Sequence, residues 1–137
     1  MTTKRQTHIR RTAIAASAVA FFTSGLPEMP RQACAAEPTS FAEDIMPIFR
    51  GRCVSCHSPG AEGAEKSGLD LTSYEGVMKG TKHGAMVIPR DPDSSNLVWL
   101  LDWRGSPEVR MPHGKKKLST CDRNAIRAWI REGAKNN

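Results

Sequence analysis

Cys53, Cys56 and His57 stand together in "RGRCVSCHSPG" (residues 50–60), two cysteines three positions apart with a histidine directly after the second. On about one helical turn both sulfurs project to the same side. C-x-x-C-H is the attachment pattern of c-type haem: two thioether bonds hold the vinyl groups, and the neighbouring imidazole reaches the iron. Two other chemistries draw on the same side chains. A thiol–disulfide centre needs only the two cysteines, but it usually sits in a βαβ setting that this sequence does not show. A zinc site needs a fourth ligand, for which Cys121 or His83 would have to be enlisted, and neither falls in a recognisable zinc spacing. Haem attachment ranks first, the dithiol second and zinc third.

The elements that must position these residues read as short helices joined by long loops. In "SFAEDIMPIFRGRC", Ser40 is the N-cap and Glu43 follows three residues later, a capping-box pattern. Phe41, Ile45, Ile48 and Phe49 then recur at helical spacing, and Pro47 is expected to bend or loosen the helix. "HSPGAEGAEKSG" reads as loop from its Gly, Pro and Ser content. "TSYEGVMKG" is a short helix ended by Gly80, and "VIPRDPDSSN" is a loop leading to a cap at Ser94 or Ser95. "NLVWLLDW" is a short apolar helix. The last element is the clearest, with Ser119 as cap, Asp122 at the third helical position, a stripe of Ile126, Trp129 and Ile130, and Gly133 as the stop. No strand or repeat is evident. The expected fold class is a small all-α domain whose first and last helices pack together over a thin core, to which a bound cofactor would add apolar surface. Trp99, Trp103 and Trp129 are expected in that core or as walls of a cofactor pocket.

The start of the chain reads differently. Lys4, Arg5, Arg10 and Arg11 precede the apolar run "TAIAASAVAFF" and a small-residue site in "ACAAEP". That order is the order of a secretory signal, and the apolar run is too short to span a bilayer. Residues 1–36 are therefore expected to be an export signal and residues 37–137 the functional domain, periplasmic or otherwise exported. Arg10 and Arg11 also permit a twin-arginine reading, whereas "RQAC" lacks the apolar residues that would precede a lipidated Cys34. Without residues 1–36 the chain keeps 15 basic and 13 acidic residues, so its net charge falls to about +2 and gives no support for nucleic-acid binding. The exported part keeps Cys53, Cys56 and Cys121. An odd number does not suggest a disulfide framework. Cys121 reads as an incidental residue, or as an exposed thiol able to dimerise.

From about residue 41 to residue 134 the chain resembles small class I cytochrome c domains, in particular the planctomycete type. "FAEDIMPIFRGRCVSCH", "GLDLTSYEGVMKG", "VIPRDPDSSNL", "RMP" and "LSTCDRNAIRAWIREGA" carry the resemblance. Arg90 departs from it, because glycine is common at that point, and Cys121 lies outside the pattern. The resemblance implies one covalent haem c and identifies Met111, in "VRMPHGKKKL", as the distal ligand opposite His57. A thioether there stabilises ferrous iron and raises the potential, and Pro112 would stiffen the loop that presents it. Met46, Met78 and Met86 fit core filling better, with Met86 the second choice of ligand and His113 and His83 the bis-histidine alternatives. Lys115, Lys116 and Lys117 read either as a solvated loop or as a basic rim that steers acidic partners. The function implied is one-electron transfer, not catalysis by this chain alone, with a redox partner protein such as a dehydrogenase or oxidase. An open distal site would instead imply haem-based catalysis or ligand sensing.

Overall fold

The computed structural model describes residues 38–137, which fall within one compact unit. The expected signal sequence lies outside the described residues. A π-helical turn (Phe41–Ile45) runs into α1 (Met46–Arg52). The order continues with α2 (Glu62–Ser67), α3 (Tyr74–Lys79), α4 (Asn96–Leu101), a 3-10 turn (Pro107–Val109) and α5 (Thr120–Arg131). Among the described residues the β structure is one isolated bridge, Thr81 to Gly84, so the all-α expectation holds.

Ser40 caps the first helix, its hydroxyl accepting from the Glu43 amide at 3.2 Å. The carboxylate that reaches back to the Ser40 amide is Asp44, at 2.8 Å, rather than Glu43. The wide turn that follows meets the loss of an amide at Pro47, which cannot donate to a preceding carbonyl; normal α geometry begins around it. Phe41, Ile45, Met46 and Phe49 form the buried face, with Ile48 half-buried at its edge.

In α5 the Ser119 hydroxyl accepts from the Asp122 amide at 3.0 Å, and Ala125, Ile126, Trp129 and Ile130 are buried. The first and last helices do pack together. Phe41 lies 5.4 Å from Trp129 between ring centroids and meets the edge of Tyr74 at 5.2 Å. The chain end closes the same junction: the Ala42 amide donates to the Asn137 carbonyl and the Phe41 amide to the Asn137 side chain, at 3.0 and 3.1 Å.

One expectation is corrected. Residues 62–67 are helical, not loop, because Gly68 at φ +78 supplies the left-handed stop and the Glu62–Lys66 ion pair links adjacent turns. Of the three tryptophans only Trp129 is core, at 1 % exposure; Trp99 is 38 % exposed and Trp103 is half-buried at the end of α4. Arg90 adopts φ +70 while its amide donates to the Ile130 carbonyl at 2.7 Å, so the chain takes here the left-handed conformation for which glycine is suited.

Candidate functional site

Cys53, Cys56 and His57 sit on a turn directly after α1. The Cys56 and His57 amides both donate to the Cys53 carbonyl at 3.0 Å, so the turn closes as one helical turn. It continues the helix because the Cys53 amide still donates to Phe49, whose side chain is buried in the core. Cys53 is half-buried, Cys56 is exposed, and both are free thiols. Burial pushes the Cys53 thiol up to about 11, against the pull of Arg52 and Lys115 and with a further push from Cys56. A thiol so placed lacks the lowered pKa that serves disulfide exchange.

His57 is half-buried, and burial lowers its pKa while the nearby Leu69 backbone works the other way. The ring is therefore held neutral, the form that coordinates metals. Its Nδ1 is buried and makes no hydrogen bond. Gly63, in the first turn of α2, lies against the ring: a Cβ there would stand 3.1 Å from His57 Cε1 and 2.7 Å from the Cys56 carbonyl oxygen. The Ala64 amide donates to that carbonyl, and the Leu71 amide donates to that of His57, at 3.0 and 2.8 Å. Sequence reading missed α2 and hence this role for Gly63.

Met111 arrives from the loop before α5. It is half-buried and packs against the core, while its amide donates to the Leu100 carbonyl at 3.3 Å and its carbonyl accepts from Trp103 Nε1 at 2.8 Å. The Met111–Pro112 peptide is cis. Of the other candidates, Met46 and Met86 are buried in the core, Met78 packs against it, and His83 and His113 are exposed. The basic loop reaches the C-x-x-C-H turn, since Arg52 donates to the Lys116 carbonyl at 2.7 Å and Lys115 Nζ to the Ser55 hydroxyl at 3.3 Å. Lys117 does not belong to that rim: its ammonium donates to the Asp102 carbonyl at 2.6 Å.

The donor set fits haem better than a resident metal ion. Among the described residues no three His, Cys, Asp or Glu side chains gather closely enough to hold an ion, so neither Cys121 nor His83 completes a zinc site. Two thiols on one turn, a neutral imidazole after the second and a thioether from another loop suit a tethered haem. Residues 53–113, which take in CVSCH and Met111, match the sequence model of the family described as planctomycete cytochrome C. The match supports a planctomycete-type cytochrome c domain over this stretch. No curated protein matches the chain.

A cytochrome c domain implies haem binding and an electron carrier with redox partners. No helix among the described residues is long and apolar enough to cross a membrane. Cys121 is half-buried in the first turn of α5.

Proposed function

We propose that the chain is an exported monohaem c-type cytochrome that transfers single electrons, with residues 1–36 as its export signal. The supporting observation is the closed turn that carries Cys53, Cys56 and the neutral His57 beside α2, together with Met111 delivered against the same core. Cys53 and Cys56 would hold the haem through thioether bonds, and His57 and Met111 would be its axial ligands. When bound, the haem supplies a one-electron couple. His57 contributes an uncharged nitrogen on a turn locked to Phe49, and Met111 a soft sulfur that favours ferrous iron. Arg52 and Lys115 lie beside the turn, with Lys116 next along the same loop, and their charge would attract an acidic redox partner.

The test is expression in cells that mature c-type haem, followed by haem staining after denaturing electrophoresis and absorption spectra of both oxidation states. The expected result is a stained band, a low-spin spectrum and a weak ferric band from sulfur ligation. Cys53→Ala with Cys56→Ala removes the stain, and Met111→Ala removes the sulfur band. An unstained wild-type protein would sink the cytochrome reading in favour of the dithiol. A sulfur band that survives in Met111→Ala would reassign the distal ligand, Met86 first.

A further inference from the structure

The end of α4 carries a residue that its backbone geometry does not favour. The Trp103 amide donates to the Leu100 carbonyl at 3.1 Å and the Arg104 amide to the Trp99 carbonyl at 3.2 Å. These are the two bonds of a Schellman stop, whose left-handed position is normally glycine. Here that position is Trp103, at φ +62. A bulky residue in this region is strained and points to a job for its side chain.

The indole has an identifiable task. Its Nε1 donates to the Met111 carbonyl at 2.8 Å, while the Leu100 carbonyl that takes the Trp103 amide also takes the Met111 amide. Both backbone groups of Met111 are thus fastened to the last turn of α4. Arg110 and Lys117 lie over the indole at 5.7 and 5.6 Å from its centroid, so the residue before Met111 and one just beyond it hold the ring in place. We propose that Trp103 is a positioning residue: it clamps the Met111 backbone so that the thioether stays on the iron and resists displacement. This rests on the assignment of Met111 as distal ligand.

The experiment is an imidazole titration of the ferric haem protein, followed by loss of the sulfur band, with the reduction potential measured alongside. Trp103→Phe keeps a ring beneath Arg110 and Lys117 and deletes the N–H donor. One hydrogen bond is worth about 1 kcal/mol. At 1.4 kcal/mol per tenfold, imidazole should therefore displace Met111 about fivefold more readily, and the potential should fall. Trp103→Gly suits the left-handed backbone and also lacks the clamp. It too should give way to imidazole more easily than the wild type. Wild-type imidazole affinity in Trp103→Phe overturns the proposal, even if that variant melts earlier, because the indole would then serve stability alone. A wild-type spectrum without a sulfur band sinks the Met111 assignment itself, and the clamp with it. The wild type thus tests the ligand and the variants test the clamp.

Discussion

At the scale of single residues, Gly63 is constrained by two neighbours at once. A methyl group there would stand 2.7 Å from the Cys56 carbonyl oxygen, a backbone atom that cannot swing aside, and 3.1 Å from the His57 ring. Gly63→Ala must therefore displace α2 or the C-x-x-C-H turn, at a cost of about 1–3 kcal/mol, typical of overpacking. The expected outcome is a lower ratio of haem to protein and a shifted reduction potential, read by absorbance and by redox titration. An unchanged potential with full haem loading would show that the turn does not depend on this contact. Arg90 makes the opposite case. It is a long side chain in a left-handed slot, and it is tolerated because the slot uses its amide, donated to Ile130, while the side chain remains exposed.

At the scale of elements, the joint between α4 and α5 is held by one carboxylate. Asp102, whose side chain is 9 % exposed, pairs with Arg123 at 3.1 Å, Arg104 at 3.3 Å and Arg127. Burial works to raise its pKa, but the guanidinium groups of Arg127, Arg123 and Arg104 outweigh it and hold the group below its ordinary 3.8. The folded chain thus keeps this carboxylate ionised more readily than the unfolded chain does. Its stabilisation is complete above about pH 4, and it is lost as pH falls through the lowered folded value. Asp102→Asn should lower stability at neutral pH by about 2 kcal/mol, since partly buried guanidinium groups lose their partner. The gap from wild type should close in acid. Denaturant unfolding at pH 7 and at about pH 2.5 checks both arms, and equal gaps at the two pH values would contradict this account. The same joint carries Trp103, so the clamp on Met111 and the pairing of α4 with α5 occupy one corner of the domain.

At the scale of the whole molecule, the charge outside residues 1–36 is nearly balanced, yet Arg52 and Lys115 meet at the C-x-x-C-H turn, and the Lys116 backbone is bonded to Arg52. The local field, rather than the net charge, is what an incoming partner meets. Oxidation of the ferrous protein by ferricyanide, an anionic oxidant, should slow several-fold as ionic strength rises from about 0.01 to 0.15 M, where the screening length falls from about 30 to 8 Å. Lys115→Glu with Lys116→Glu should flatten or invert the trend. A flat response in the wild type would remove the basic rim from the account.

Much of this was legible from local chemistry. CVSCH is a contiguous motif, Ser40 and Ser119 mark helix starts, as does the pair Ser94 and Ser95, and the stripe of Ile126, Trp129 and Ile130 needs only helical periodicity to be read. These features depend on neighbours within one or two turns, which sequence order supplies directly. What only the tertiary structure decided is which distant residues meet. Gly63 backs His57 through a helix too short and polar to announce itself, and Lys117 leaves the basic rim for the Asp102 carbonyl. Trp103 gives up a place in the core to hold the carbonyl of Met111, eight residues away. Such contacts arise from loop closure and packing between elements, for which a run of residue types carries no period.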